Sequence, residues 1–185
     1  MQHQYVVTGP LDELADRIVP NLREPDKLFY LRQREQSLVI GGYERKARPF
    51  DVEAIPDNSN PTVQPFDPGQ FEAILRGVAE RIPAVAASGF LQQVNGLEAF
   101  TPDGIFLLGP VPRVQGLWVA CGFCAHGVSA GGGVGKVIAE WIVNGDPGLD
   151  VQHMSLARFG DTTPDRQAIQ AGASQVYSTY YDLTH

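Results

Sequence analysis

Through the first part of the chain the apolar residues fall in short runs with strand periodicity, and they take up helical spacing first at Phe71 and again beyond Gly127. A β-rich run covers Gln4 to Thr8. Leu28 to Arg32 and Ser37 to Tyr43 are two strand-like runs around Gln33 to Gln36, which read as a β-hairpin closed by Gly41 and Gly42. A Pro/Asn/Asp-rich loop follows from Pro49 to Pro65. Asp67 suits an N-cap and Pro68 the first helical position. Phe71, Ile74, Leu75, Val78 and Ile82 then recur at helical spacing, so an amphipathic helix is predicted to end near Pro83. Phe90 to Phe100, Ile105 to Leu108 and Leu117 to Ala120 are further strands, separated by turn residues at Pro102, Asp103, Gly104 and at Pro110, Pro112.

The last of these runs leads through Cys121, Gly122, Phe123 and Cys124 into a helix over Gly127 to Val143, stopped by Asn144 and Gly145. A strand, glycine-rich turn and helix of this kind belong in a parallel sheet, which needs more parallel strands and crossover helices than this chain offers. The sheet that receives the unit is therefore expected to lie outside the chain. Beyond Pro147 the composition turns polar. From Asp161 to His185 at most one weak helix is predicted, and the segment reads as a linker. The fold class is α+β.

Composition narrows the functional classes. The chain has 185 residues, is 43% hydrophobic and has a formal net charge of -7 at pH 7, with no Lys/Arg cluster. It can bury a core, and its field repels phosphate backbones, which excludes a nucleic-acid groove. No charged start followed by an apolar run marks a signal peptide, and no apolar run reaches the roughly 18 residues of a membrane span. The two cysteines lie three positions apart and form no secreted-type disulfide framework, so a reducing intracellular compartment, cytoplasmic by default, is expected.

Candidate chemistry concentrates at the glycine-rich helix start. Gly131, Gly132, Gly133 and Gly135 each cost about 1 kcal/mol relative to alanine in a helix. Gly127, Gly131, Gly135 and Ala139 lie four apart, leaving one side of bare backbone that another element or a flat ligand can touch. The helix head also carries unpaired N–H groups and partial positive charge, suited to a phosphate or to the anionic edge of a reduced flavin. The plainer alternative is a tight helix-on-sheet contact with no ligand. Ala130 to Val137 imitates a phosphate-binding loop, but Ala130 stands for its first glycine and Val137 for its Mg²⁺-binding hydroxyl residue. No GxGxxG fingerprint is present. Cys121 and Cys124 form a CxxC at a strand-to-helix turn, where a thiol-disulfide pair would sit, although the glycines behind it are unneeded for thiol chemistry. A zinc site is weaker still, since no second pair exists, and no metal site is assigned.

At these residues the chain resembles the D-amino-acid-oxidase-like FAD-dependent oxidoreductases, and within them the dimethylglycine and sarcosine dehydrogenases. The likeness is carried by GFCAHGVSAGGGVGKVIAEWIVNG, preceded by FTPDGIFLLG and PVPRVQGLWVACG. It is carried also by HQYVVTGP, REPDKLFYLR, LVIGGYE, RIPAV and QVNGLEAFTPDG, in the same order. It covers His3 to Gly160.

The resemblance implies an α/β flavoprotein piece in three parts. Residues 1–100 would be a substrate-binding subdomain with a mixed β-sheet, and 101–145 the C-terminal part of an incomplete Rossmann-like FAD-binding sheet. Residues 146–185 would link to a folate-binding, aminomethyltransferase-like domain, because SQVYSTYYDL is similar to that link in longer relatives. The GxGxxG half would lie upstream, as a complementary partner. With that half missing, the isolated chain is expected to be inactive. A mitochondrial location is compatible with such an internal start.

The implied cofactor is FAD, the substrate a small N-methylated amine, and the reaction oxidative N-demethylation by hydride transfer. Gly122, Phe123, Cys124, Ala125, His126 and Gly127 match the loop that meets the flavin ring. His3 and Tyr30 match positions facing the substrate amine, as catalytic residues; Arg32 could clamp the substrate carboxylate. Ser129 stands where monomeric sarcosine oxidases carry a carboxylate-binding lysine, which favours the dehydrogenase branch and makes Ser129 a weaker substrate contact. The plainer readings are a hairpin core residue for Tyr30, a frayed terminus for His3, an exposed strand charge for Arg32 and a turn former for Asp103. A non-catalytic regulatory homologue, such as the pyruvate dehydrogenase phosphatase regulatory subunit, is the alternative from another class.

Overall fold

The N-terminal strand supplies two faces at once, with Val6 fully buried on one and His3 nearly so on the other. It can do so because successive side chains of a strand point to opposite sides. A computed structural model of the chain describes residues 1–46, 48–55, 63–160 and 165–182. Its strands are β1 Gln2–Thr8, β2 Leu22–Glu24, β3 Phe29–Arg34, β4 Ser37–Gly42, β5 Val63–Gln64, β6 Phe90–Leu97, β7 Leu107–Pro110 and β8 Trp118–Cys121. The helices are α1 Pro68–Arg81, α2 Gly127–Asn144 and α3 Arg166–Ser178. The chain divides into two units, Met1–Leu97 with Tyr177–His185, and Glu98–Val176.

In the first unit six strands pair in the order β2-β3-β4-β1-β6-β5, and every pairing is antiparallel. One face carries Val6, Phe29, Leu31, Leu38 and Ile40, packed on Phe71, Ile74 and Val78 of α1. Full burial of each of these side chains contributes about 1.5–3 kcal/mol. Helix α1 starts as its sequence predicts, because the Asp67 carboxylate accepts the Gln70 N–H at 3.0 Å. Gln4 of β1 fixes that start by bonding both backbone groups of Asp67, donating to its carbonyl at 3.2 Å and accepting from its N–H at 2.6 Å.

The predicted hairpin forms, but Gly41 and Gly42 do not close it. The turn is Glu35 and Gln36, with Glu35 at a φ of 56°. Both glycines lie inside β4 opposite Tyr30 and Phe29. They are needed for close approach: a β-carbon on Gly42 would fall 2.3 Å from the Leu28 carbonyl oxygen. Part of the loop expected over Pro49 to Pro65 lies outside the described residues.

In the second unit β7 and β8 form an antiparallel ribbon, with Leu107 opposite Cys121 and Pro110 opposite Trp118. The strand–turn–helix unit is present as β8 and α2, and β8's partner among the described residues is antiparallel β7. Val137 of α2 packs with Leu108 and Val151, flanked by Phe106, Val134 and Trp141. Gly145 ends the helix in the left-handed conformation, as predicted, with its N–H on the Trp141 carbonyl at 2.9 Å. Asp103 holds its turn by accepting the Ile105 N–H at 3.1 Å, and its carboxylate receives two bonds from Arg158, at 2.7 and 3.0 Å.

Within the polar end, where at most one weak helix is expected, Arg166–Ser178 forms α3. Ala173, Tyr177 and Tyr181 are buried. They are spaced four apart in sequence, and alanine with tyrosine gives only a weak apolar pattern.

Candidate functional site

Chemistry-bearing residues gather in one constellation in each unit. In the first, β1 carries His3 and β3 carries Tyr30. The intervening β4 brings them together because Gly41 leaves room for the tyrosine ring. The His3 Nε2 lies 3.0 Å from the Tyr30 hydroxyl and its Nδ1 lies 2.9 Å from the Tyr177 hydroxyl, which in turn donates to Glu44 Oε2 at 2.8 Å. The Tyr43 ring lies 4.7 Å from the imidazole, and on its other contacts stacks on Tyr180 at 4.1 Å. Burial pushes the imidazole down to a pKa of about 4, so His3 is neutral at physiological pH. Burial raises the Glu44 carboxyl above its ordinary value, against the opposing pull of backbone and side-chain hydrogen bonds and of Arg48. Arg32 is exposed on β3, two residues from Tyr30 and on the same face of the strand.

In the second unit the loop from Gly122 to Gly127 makes a sharp turn out of β8. Gly122, Cys124 and Ala125 all have positive φ, at 68°, 47° and 70°. For a non-glycine residue this costs roughly 1–2 kcal/mol, so the surroundings must hold it. They do: the Cys124 N–H bonds the Ala99 carbonyl at 3.0 Å, and its buried sulfur receives the Thr101 N–H at 3.4 Å. The Phe123 ring packs 5.1 Å from Phe106. Cys121 is exposed while Cys124 is buried, and both are free thiols.

His126 precedes α2 without capping it by a side-chain bond, and both His126 and Ser129 are exposed. The Ser129 hydroxyl donates to the His126 carbonyl at 2.9 Å. Gly131, Gly132, Gly133 and Gly135 face open space, with nothing within 4 Å of where a β-carbon would stand. Among the described residues nothing packs on these glycines. A cavity of about 440 Å³ borders this loop, lined by Glu98, Ala99, Gly122, Phe123, Cys124 and Val128 among others. Burial pushes the Glu98 carboxyl up to about 7.

Each constellation includes residues that the pattern of the sequence did not single out. Glu44 stands in the quoted LVIGGYE and Glu98 in QVNGLEAFTPDG, yet only burial distinguishes them from surface carboxylates. Tyr177 gives only a faint signal, because a four-residue spacing of alanine and tyrosine is a weak apolar pattern.

The family described as DAO, FAD dependent oxidoreductase, matches residues 1–141. The chain belongs to this FAD-dependent oxidoreductase family. Among curated relatives it is 33% identical to the mitochondrial sarcosine dehydrogenase of Mus musculus, over 99% of this chain and 20% of that protein. It is also 33% identical to the mitochondrial pyruvate dehydrogenase phosphatase regulatory subunit of Mus musculus, over 98% of this chain and 21% of that protein. This flavoprotein-family chain thus spans about a fifth of the length of these relatives. Among solved structures, L-proline dehydrogenase from P. horikoshii superposes with a TM-score of 0.67 at 24% identity, over 85% of this chain and 39% of that one, which supports the fold.

The family's cofactor is FAD, and the residues of the second unit fit one edge of it. The loop backbone is held open, the helix head carries no side-chain cap, and the glycine side of α2 is bare. A planar ring needs such an unobstructed edge, with N–H groups and a helix dipole directed at it. Among the described residues no helix is long and apolar enough to cross a membrane.

Proposed function

We propose that this chain supplies the substrate-facing sheet and the flavin-edge loop of a dehydrogenase that oxidises an N-methylglycine-type amine, dimethylglycine or sarcosine. The observation that carries the reading is the left-handed loop Gly122–Gly127 opening onto an uncapped helix with a bare glycine side. Four glycines that each cost about 1 kcal/mol call for a close approach that this chain's own side chains do not make, and a flat ligand supplies one.

Bound FAD supplies the hydride acceptor for the N-methyl carbon, and the protein supplies orientation, charge and proton handling. Residues Gly122, Phe123, Cys124, Ala125, His126 and Gly127 line the flavin edge. The α2 head stabilises negative charge at that edge. Tyr30, bonded to His3 Nε2, holds the substrate amine and takes a proton from its ammonium form, since only the neutral amine carries a lone pair to drive hydride loss. Arg32 pairs with the substrate carboxylate, and Ser129 adds a neutral hydroxyl contact. The resulting iminium hydrolyses in water or passes its one-carbon unit to folate. A GxGxxG-bearing segment, acting as a partner, holds the rest of the cofactor.

The test is to produce the chain together with such a segment and to record flavin absorbance and its bleaching by sarcosine or dimethylglycine under anaerobic conditions. Bound flavin that bleaches supports the reading. An assembly that binds no flavin defeats it. A second reading, a non-catalytic regulatory or interaction role, is favoured by the equal identity to the phosphatase regulatory subunit. Flavin that binds but resists reduction by either amine would select it.

A further inference from the structure

We propose that Glu44 and Tyr177 are positioning residues that fix the tautomer of His3 and thereby decide whether the Tyr30 hydroxyl presents a lone pair or a proton to the substrate side. The consequence for catalysis rests on the function proposed above, whereas the tautomer itself is a property of this chain.

The number of protons available fixes the direction of each bond. A tyrosine hydroxyl has one proton to donate and a neutral imidazole has one N–H. Tyr177 donates its proton to Glu44 Oε2. Its oxygen can then meet His3 Nδ1 only as an acceptor, which places the imidazole proton on Nδ1. Nε2 is left with a lone pair, so Tyr30 must donate to it. The outward side of the Tyr30 oxygen is then an acceptor, suited to an ammonium N–H.

Protonating Glu44 reverses each bond. The carboxylic acid donates to Tyr177, Tyr177 donates to Nδ1, Nε2–H donates to Tyr30, and the Tyr30 proton turns outward. The same set of hops balances as a transfer. A substrate ammonium gives its proton to the Tyr30 oxygen, Tyr30 gives its own to Nε2, Nδ1 gives its proton to Tyr177, and Tyr177 gives its proton to Glu44. The amine ends neutral, every intermediate group regains its proton, and the carboxylate becomes a carboxylic acid.

The surroundings suit that role. Glu44, His3 and Tyr177 are all buried, and Tyr43 packs on the imidazole and on Tyr177, so water does not short-circuit the chain. A buried carboxyl with a raised pKa is a ready acceptor. Among the described residues, the N-terminal ammonium acts on His3 and lowers its pKa further. Arg48 acts on Glu44 and is itself paired with Asp67 at the head of α1. Arg45 pairs with Asp182 beyond α3. From β1, the Gln4 side chain adds to the pull that opposes the rise.

The experiment uses the full chain with ¹⁵N-histidine, recording which ring nitrogen of His3 bears the proton; its resonances are assigned among the four histidines by their loss in His3→Gln. The wild-type chain is expected to show Nδ1–H at neutral pH. Tyr177→Phe removes the acceptor for that proton, and Glu44→Gln mimics the protonated carboxyl. In both, the proton is expected to move to Nε2. A wild-type Nε2–H tautomer, or a tautomer unmoved by folded variants, overturns the proposal. Should the variants not fold, lowering the pH of the wild-type chain through the Glu44 titration replaces them. A shift from Nδ1–H to Nε2–H before the ring itself titrates supports the proposal, and a constant tautomer overturns it. In the assembled enzyme, Glu44→Gln should abolish the acid limb of kcat/KM. Failure of the flavin reading removes that last readout and leaves the tautomer result standing.

Discussion

Tyr30 lies across Gly41 of the neighbouring strand, so close that a β-carbon on Gly41 would stand 2.2 Å from the Tyr30 hydroxyl oxygen. The glycine is therefore what places this phenol against His3. Gly41→Ala is expected to push the ring aside and to cost about 1–3 kcal/mol, the usual range for an overpacked site. With Tyr30 displaced, water reaches the imidazole, and the His3 pKa should climb from about 4 toward its ordinary 6.5. NMR titration of His3 and denaturant unfolding check both parts. If Tyr30→Ala in the same chain does not recover stability, the clash is elsewhere.

Burial of neutral His3 sets a pH dependence of stability. The unfolded chain takes up the proton near 6.5, the folded chain only near 4, so the unfolded state binds more protons between those values. Stability should fall as pH drops from 6.5 to 4. In His3→Gln that part of the slope disappears, which urea unfolding at several pH values would show.

Glu98 works in the opposite direction. Its folded pKa of about 7 lies above the ordinary 4.5, so the folded state binds more protons in that window and loses stability as pH rises through it. Glu98→Gln removes the charge without changing the shape. Its stability relative to wild type should increase from pH 4.5 to 7 and then level off, and a flat difference would contradict the assigned burial.

The open glycines of α2 trade stability for access. Gly131 and Gly133 have nothing within 4 Å of a β-carbon, so alanine there should stabilise the isolated chain by about 0.5–1 kcal/mol per site. If this side meets a flavin, the same substitutions should weaken flavin binding in the assembled enzyme by at least tenfold. Thermal unfolding of the chain and flavin titration of the assembly provide the two measurements. Unaltered flavin affinity would place the cofactor away from this helix.

Elements with local signals are legible in the chain before it folds. Asp67 and Pro68 start α1, Gly145 ends α2, and the turn from Cys121 to Gly127 separates strand from helix, because caps and backbone conformations depend on neighbours in the chain. The resemblance in the motifs from His3 to Gly160 likewise fixed the family. The remaining features depend on contacts between residues distant in sequence. Gly41 and Gly42 read as turn residues until the sheet placed Tyr30 and Leu28 over them. The polar end read as a linker because its stripe is built from alanine and tyrosine, whose burial depends on partners far along the chain. His3, Tyr30, Tyr177 and Glu44 meet only through strand order and the return of the chain at Tyr177, and it is that burial, which no local pattern encodes, that lowers the pKa of the histidine and raises that of the glutamate.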